Sequence, residues 1–153
     1  MDRVAVALGS NLGDRRAHLD HAVASLRTLL RKLTVSTYHD TVPDGVVGPH
    51  PLYLNAIAVG ETSLSARALL DALLAIESER GRARPYPNAP RTLDLDLILL
   101  GETVIDEPGL VVPHPRFRER RFVLQPLAEI ASDLRDPVSG KTAGELLAAL
   151  GPQ

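Results

Sequence analysis

Two aspartates in an otherwise apolar run are the residues of this sequence with the clearest capacity for chemistry. Asp94 and Asp96 lie within residues 90–101, which read P-R-T-L-D-L-D-L-I-L-L-G. The alternation has a period of two, which predicts a β-strand with both carboxylates on one face. Two residues along a strand rise by about 6.6 Å. Carboxylates that far apart do not share a proton, but they suit a pair of divalent cations roughly 3.5–4 Å apart.

The apolar residues around the aspartates predict where this strand lies. The pattern places four leucines on one face and the aspartates with two apolar residues on the other: Leu93, Leu95, Leu97 and Leu99 against Asp94, Asp96, Ile98 and Leu100. Such a run predicts an interior strand covered on both faces. Ionised carboxylates are costly there unless they are paired or bound to a metal. This burial and the nearby Arg91 favour a functional pair over a strand end with solvated aspartates.

Arginines precede the aspartates in an irregular segment. Residues 81–91 read G-R-A-R-P-Y-P-N-A-P-R, with three prolines and three arginines. We expect the segment to bring Arg82, Arg84 and Arg91 close to the aspartates. Arginines beside metal-bound carboxylates are what a polyphosphate requires. A solvated basic loop is the alternative, and the buried aspartate pair that follows makes it less favourable.

A glutamate and a histidine complete the candidate chemistry. Glu77 continues the apolar stripe of a helix capped by Ser65, in the last turn before Gly81 as the expected C-cap. The helix dipole disfavours negative charge there, which indicates a specific partner for Glu77. His114 lies between two prolines and could hydrogen-bond a phosphate, or it is an ordinary loop histidine. The arginines that follow could contact phosphate or nucleic acid: Arg116, Arg118, Arg120 and Arg121.

The elements that must position these groups follow from local patterns. Strands are predicted at 4–8, 33–38, 53–62, 104–105 and 110–112, and helices after Asp14, after Ser65 and over 122–130 and 142–150. Residues 9–14 form a turn, and the irregular segment 41–51 is long enough to be functional.

Tyr53 and Asn55 share a strand face and could offer an aromatic plate and an amide to a planar ligand. Ordinary strand residues are the equal alternative. His18 and His21 share a helix face and are interpreted as solvent-facing, because no third metal ligand is near.

Length and composition bound the kind of protein. The chain has 153 residues, which predicts one domain with a real core. With 44% hydrophobic and 24% charged residues, disorder is not indicated. The absence of cysteine excludes disulfides, thiolate metal sites and cysteine nucleophiles. A net charge of −2 argues against broad nucleic-acid binding. No signal segment or long apolar run is present, so we expect a cytoplasmic protein without membrane partners.

Several motifs together resemble the 6-hydroxymethyl-7,8-dihydropterin pyrophosphokinase family of folate synthesis. They are G-S-N-L-G-D at 9–14, Y-L-N at 53–55, Glu77, G-R-A-R at 81–84, P-R-T-L-D-L-D at 90–96, P-H-P at 113–115 and Phe122. The resemblance implies an α+β fold with a ferredoxin-like core, in which helices pack on a mostly antiparallel sheet as an α/β/α sandwich. It implies one pyrophosphokinase domain over residues 1–153. The implied reaction moves pyrophosphate from ATP to the pterin hydroxymethyl group and releases AMP.

The same resemblance assigns roles to individual residues. It makes Asp94 and Asp96 the ligands of two Mg²⁺ ions, and it makes them catalytic together with Arg82 and Arg91. It places six residues on the ATP side: Glu77, Arg82, Arg84, Arg91, His114 and Arg120. It places six on the pterin side, with Tyr53 and Phe122 as stacking plates: Thr41, Val42, Asp44, Tyr53, Asn55 and Phe122. The expected partners are ATP and 6-hydroxymethyl-7,8-dihydropterin, and the expected state is a monomer that binds no nucleic acid.

Two other functions remain open from the sequence. One is a different two-metal phosphotransferase or hydrolase that uses the same aspartate pair. AMP as product, rather than ADP or free phosphate, separates it from the first interpretation. The other is an RNA-binding module built on a ferredoxin-like domain with the arginines of residues 116–121. Such modules present stacked aromatics on adjacent strands, whereas the aspartate strand offers only leucine and aspartate.

Overall fold

The longest strands lie side by side in one antiparallel sheet. The computed structural model describes residues 1–42, 52–81 and 92–152. The strands are β1 (Asp2–Ser10), β2 (Arg31–Val35), β3 (His39–Thr41), β4 (Tyr53–Thr62), β5 (Asp94–Leu100), β6 (Ile105–Glu107) and β7 (Leu110–Val112). The helices are α1 (Arg15–Leu29), α2 (Ala66–Glu79), α3 (Arg121–Ala131) and α4 (Ala143–Ala149), and a 3-10 turn spans Phe117–Glu119.

The strand order confirms the ferredoxin-like core. The main path of the sheet runs β2-β4-β1-β5, and β3 pairs with the other end of β4. With β1-α1-β2 followed by β4-α2-β5 along the chain, two β-α-β units interleave, which is the ferredoxin-like arrangement. β6 and β7 form a separate antiparallel hairpin.

Helices cover both faces of the sheet, as the α/β/α sandwich predicts. α1 and α2 pack on one face through Leu19, Leu26, Leu69 and Leu73, all fully buried. α3 packs on the opposite face, together with α4, through Val123, Leu124, Leu127 and Leu146. Each face of the sheet therefore has its own apolar core. No helix in the three described segments is long and apolar enough to cross a membrane.

The predicted helix starts are confirmed. The Asp14 carboxylate accepts a hydrogen bond from the Ala17 amide at 3.1 Å, and the Ser65 hydroxyl accepts one from the Ala68 amide at 3.2 Å. Such caps satisfy amides that the first helical turn leaves open. The C-cap of α2 is Arg80 rather than Gly81. Gly81 follows it with φ +77°, a left-handed conformation that glycine adopts without strain.

β5 corrects two expectations. It forms the edge of the main sheet in the described part of the chain, not an interior strand, yet it is buried because α2 and β7 pack against it. Its pairing with β1 also shifts, from Val6 opposite Leu97 to Ala5 opposite Leu99. The bulge at Ile98 reverses the alternation. Leu99 therefore lies in the core under α3, and Leu100 lies in the core under α1 and α2.

The strand expected at 33–38 ends earlier than predicted, and a second strand that the sequence did not predict follows it. β2 ends at Val35, and β3 begins at His39. Ser36 makes the break by hydrogen-bonding β4 from both its backbone and its side chain. Its amide donates to the Ile57 carbonyl at 2.9 Å, and its hydroxyl accepts from the Ile57 amide at 2.9 Å. β3 then pairs with the first residues of β4, at the end of the sheet where Asp94 begins β5.

Candidate active site

The aspartate pair and the Tyr53–Asn55 pair meet on one face of the sheet. Gly9 on β1 is opposite Asn55 on β4 and opposite Asp94 on β5, so these three positions form a row across the strands. Ala7 is likewise opposite Ile57 and Asp96. Residues in register on neighbouring strands point to the same face. This face is the one that α3 and α4 cover further along the strands.

Gly9 makes the row possible because it has no side chain. A Cβ atom at this position would lie 3.0 Å from Oδ1 of Asn55 and 3.6 Å from Cδ1 of Tyr53. The Tyr53 ring and the Asn55 amide therefore use the space above β1. Asn55 in turn donates a hydrogen bond from Nδ2 to the Thr41 hydroxyl on β3. The amide group is thus held from two sides.

A cavity of about 580 Å³ opens between β3 and α3. One wall is formed by β3 and the residue after it: His39, Asp40, Thr41 and Val42. The other is formed by the 3-10 turn and the start of α3, and it includes Arg116, Arg120, Phe122 and Gln125. The Arg120 guanidinium lies 5.5 Å from the centre of the Phe122 ring. The cavity therefore combines an aromatic ring with guanidinium groups, while Asp40 and Glu119 add carboxylates to its lining. The ring and the guanidinium groups suit a planar ligand that carries phosphate.

His114 is held next to the same cavity by β5. Its amide donates to the Ile98 carbonyl at 2.9 Å, and its Nδ1 accepts from the Arg116 amide at 3.1 Å. Burial lowers the pKa of His114, and the nearby Arg120 lowers it further, while Asp94 opposes the shift. His114 is therefore neutral at pH 7. With Nδ1 accepting, the proton lies on Nε2, which is then a hydrogen-bond donor for an anionic ligand.

Asp94 and Asp96 are half-buried and fit a hard divalent cation. Both side chains leave the same face of β5, two residues apart. The described residues contain no cluster of three or more His, Cys, Asp or Glu side chains that could hold a metal alone. A cation on the two aspartates would take its other ligands from water and substrate. This is how Mg²⁺ is usually held, by one or two carboxylates together with phosphate oxygens.

Glu77 lies directly behind the aspartates. Its side chain is inside the protein, with an exposed fraction of 3%. Its Oε2 accepts a hydrogen bond from the Leu95 amide at 2.7 Å. A backbone amide between Asp94 and Asp96 is therefore one specific partner of Glu77.

The remaining predicted site residues either fall outside the described residues or have partners of their own. Asp44, Arg82, Arg84 and Arg91 fall outside the described residues. Arg118, one of the four arginines that could contact phosphate, instead forms a double hydrogen bond with the buried Asp136. Arg121 lines the cavity between β3 and α3, and its guanidinium donates to the Gly151 carbonyl.

The two histidines of α1 correct another expectation. His18 and His21 are half-buried rather than solvent-facing, since they contact the end of α2. Nδ1 of His18 accepts from Arg80 at 2.9 Å, and Nε2 of His21 lies 3.0 Å from Glu79. These contacts connect α1 to α2.

Sequence reasoning missed five residues that line the cavity: His39, Asp40, Glu119, Gln125 and Pro126. Gln125 follows Phe122 by three residues on α3, a helical spacing that places both on one side. That spacing was available from the sequence. His39 had no comparable signal, because its place opposite Asn55 depends on the separate strand β3.

The fold and the site define a class of protein. A ferredoxin-like α+β domain with an aspartate pair at the sheet edge, next to a cavity with arginines and an aromatic ring, is suited to phosphoryl transfer to a small planar molecule. The family described as 7,8-dihydro-6-hydroxymethylpterin-pyrophosphokinase (HPPK) matches residues 5–132. The chain belongs to this family.

Individual relatives agree with this membership. The chain is 45% identical over 151 residues to 2-amino-4-hydroxy-6-hydroxymethyldihydropteridine pyrophosphokinase of Pseudomonas aeruginosa, covering 97% of this chain and 92% of that protein. It is 43% identical over 143 residues to the protein of the same name from Synechocystis, covering 93% and 73%. The crystal structure of Plasmodium falciparum HPPK-DHPS superposes with a TM-score of 0.76 at 13% identity. That match covers 97% of this chain but only 44% of the Plasmodium chain, so it shows the fold alone.

Proposed function

We propose that this chain transfers pyrophosphate from ATP to the hydroxymethyl group of 6-hydroxymethyl-7,8-dihydropterin and releases AMP. The family match over residues 5–132 carries the proposal. The row of Asn55, Gly9 and Asp94 supports it, because an amide and a carboxylate lie on one face of the sheet, where we propose that they bind the acceptor and a cation. We propose residues 1–153 as one domain with this activity. A monomeric state, a cytoplasmic location and the lack of nucleic-acid binding stay predictions.

The pterin is proposed to bind in the cavity between β3 and α3. Tyr53 and Phe122 stack on the two faces of its rings, since offset aromatic stacking suits a flat heterocycle. Asn55 hydrogen-bonds the polar edge of the pterin, and Thr41, Val42 and the predicted contact Asp44 bind the same edge. Gly9 leaves room for this arrangement, because any side chain there would displace Asn55.

ATP is proposed to bind on the side of His114 and Arg120. The Nε2 proton of His114 and the Arg120 guanidinium donate hydrogen bonds to the nucleotide. The sequence adds Arg82, Arg84 and Arg91 as phosphate contacts and predicts Glu77 on this side too. Arginines bind phosphate oxygens bidentately and keep their charge at all relevant pH values.

Asp94 and Asp96 are proposed to bind Mg²⁺, two ions in the reacting complex. Bound with ATP, these ions would neutralise phosphate charge and orient the reacting oxygens. The protein then has little covalent chemistry to perform, because phosphoryl-type transfer depends mainly on positioning and charge. The hydroxymethyl oxygen forms a bond to the β-phosphorus of ATP and its proton passes to solvent, while the bond from that phosphorus to the α,β-bridging oxygen breaks and AMP leaves with that oxygen. Stacking by Tyr53 and Phe122 holds the hydroxymethyl group in place, while the arginines stabilise the charge that develops.

One assay tests the proposed function. The protein is incubated with ATP, Mg²⁺ and 6-hydroxymethyl-7,8-dihydropterin, and the nucleotide products are separated. AMP that forms only when the pterin is present is the expected result. ADP or free phosphate as the product, or AMP without the pterin, would instead indicate another phosphotransferase or a hydrolase.

Gly9→Ala should weaken pterin binding selectively. The added Cβ would press on Oδ1 of Asn55 and turn the amide away from the pterin edge. We expect the Kd for the pterin to rise about tenfold, which is about 1.4 kcal/mol, with ATP-analogue affinity within about twofold of wild type. Calorimetric titration measures both. Gly144→Ala in α4 is the matched control, since a Cβ there meets its nearest atom at an ordinary 3.4 Å. Equal effects of the two variants would contradict a role for Gly9 in the site.

Arg91→Ala should lower kcat more than it weakens ATP binding. Arg91 precedes Asp94 by three residues, so we expect its charge to act on the phosphates during transfer rather than on ATP alone. A group that acts mainly in the transition state changes kcat and kcat/KM together. Arg82→Ala should behave in the same way. Steady-state kinetics with varied ATP checks both variants, and a change confined to KM for ATP would show that these arginines only bind the substrate.

A further inference from the structure

The environment of Glu77 is unfavourable for a carboxylate unless specific hydrogen bonds stabilise it. It lies in the last turn of α2, where the helix carbonyls point and negative charge is disfavoured. Its side chain is also buried, with an exposed fraction of 3%. Removing a carboxylate from water is costly unless hydrogen bonds replace its hydration. The position therefore demands a specific bond, and the structure shows one at 2.7 Å to the Leu95 amide.

The Leu95 amide is a group that the sheet itself leaves without a partner. β5 pairs with β1 on one side only, and Leu95 is opposite Leu8 in that ladder. Because the Leu95 N–H points to Glu77, it points away from β1. The alternation of an antiparallel ladder then turns the amides of Asp94 and Asp96 towards β1. The short segment that carries both aspartates is thus held by β1 on one side and by Glu77 on the other.

A second contact fastens the same two elements together. The Thr92 hydroxyl donates a hydrogen bond to the Arg80 carbonyl at 2.7 Å. Thr92 lies two residues before Asp94, and Arg80 lies three residues after Glu77. The end of α2 therefore meets the start of β5 at two points on either side of Asp94. A rotation of the strand there would separate the two carboxylates or turn one of them off the shared face.

We propose that Glu77 is a positioning residue that holds the Asp94–Leu95–Asp96 backbone in the conformation a divalent cation requires. This role deepens the proposed function and rests on it. It replaces the ATP contact that the sequence predicts for Glu77, because a side chain so deeply buried offers almost no surface to a ligand. Partners that orient metal ligands from behind typically change metal affinity or activity about 10–100-fold when they are removed.

The test separates the part of the binding affinity that depends on the cation from the part that the nucleotide contributes without it. The probe is α,β-methylene ATP, titrated calorimetrically in EDTA and again in saturating Mg²⁺, and the ratio of the two Kd values measures what the cation adds. In Glu77→Ala we expect this ratio to fall about tenfold or more relative to wild type, while the Kd in EDTA stays within about twofold. Glu77→Gln should keep most of the ratio, because its amide oxygen can accept the same hydrogen bond.

Leu73→Ala is the matched control for a loss of packing. Leu73 lies one turn earlier on α2, is fully buried and has an apolar side chain that cannot accept a hydrogen bond from the Leu95 amide. It should lower thermal stability but leave the Kd ratio as in wild type. A second readout needs neither metal nor nucleotide. Hydrogen exchange of the Leu95 amide in the unliganded protein should accelerate selectively in Glu77→Ala, whereas Leu73→Ala should change exchange evenly across the core.

Three results would overturn the proposal. An unchanged Kd ratio in folded Glu77→Ala excludes positioning of the cation site. If the Kd ratio falls by the same factor in Leu73→Ala, then loss of packing alone explains the fall in Glu77→Ala. A weaker Kd in EDTA shows that Glu77 contacts the nucleotide itself. Failure of the proposed function is separate: wild-type protein would then form no AMP with the pterin, whatever the Kd ratios are.

Discussion

Asp94→Ala and Asp96→Ala should each lower pyrophosphate transfer by about 10³-fold or more while the protein stays folded. Charge stabilisation at the reacting group is usually the largest single contribution to catalysis, and one lost donor group already costs about 10²–10³-fold. Each variant removes one of two carboxylates that we propose as cation ligands. AMP formation under saturating substrates measures the loss, and near-wild-type turnover in both variants would contradict the metal assignment.

The same two variants should keep or gain thermal stability when no metal is present. The aspartates lie on one strand face two residues apart, so each carboxylate repels the other in the empty site. Removing one carboxylate relieves that repulsion. Asp106→Ala on β6 is the control, since Asp106 is exposed and lies on the separate hairpin. It should change neither turnover nor stability. A marked loss of stability in the Asp94 and Asp96 variants would mean that the pair is structural.

Arg118→Ala should destabilise the protein by about 3 kcal/mol at pH 7. Asp136 is fully buried at its side chain, while Arg118 keeps 29% of its side chain exposed. Breaking such a pair from one side leaves an uncompensated buried charge, which costs about 3–5 kcal/mol; the partial exposure of Arg118 favours the lower end. Urea unfolding measures the change. Arg67→Ala is the control, because its pair with Glu107 is exposed on both sides and should contribute less than about 1 kcal/mol.

The stabilisation by this pair should depend on pH in a defined direction. Burial alone would raise the pKa of Asp136, but hydrogen bonds from Arg118, Ser139 and the Val138 amide outweigh it and lower the pKa from 3.8 to about 2. A group with a lowered pKa stabilises the fold fully above its unfolded value and loses that effect as the pH falls through the folded value. The difference between wild type and Arg118→Ala should therefore shrink between about pH 4 and pH 2. A constant difference across that range would show that charge is not the cause.

The Arg118–Asp136 pair also bears on the site. Arg118 lies in the 3-10 turn that separates His114 from Arg120, and its guanidinium packs 4.8 Å from the centre of the buried Phe117 ring. The pair therefore anchors the segment that carries both proposed nucleotide contacts. Asp136 further accepts from the Ser139 hydroxyl at 2.7 Å, which ties the segment to the turn before α4.

The sequence by itself determined the elements whose signals are local. β4 spans residues 53–62 as predicted, because alternation of polar and apolar residues needs no knowledge of neighbouring strands. The caps at Asp14 and Ser65 were predictable for a similar reason, since a capping side chain bonds to amides two or three residues away. The paired aspartates also follow from local spacing alone. Family motifs over most of the chain then gave the fold class and the reaction.

Only the tertiary structure decided which of these local features meet. The row of Asn55, Gly9 and Asp94 depends on strand register, and the bulge at Ile98 exists because β5 pairs with β1. The partner of Glu77 is an amide 18 residues away, and the partner of Arg118 is a carboxylate 18 residues away. A polar group that is buried must find some partner, so the sequence indicates that one exists. Which partner it is depends on how helices and strands pack, and that is set by the whole chain.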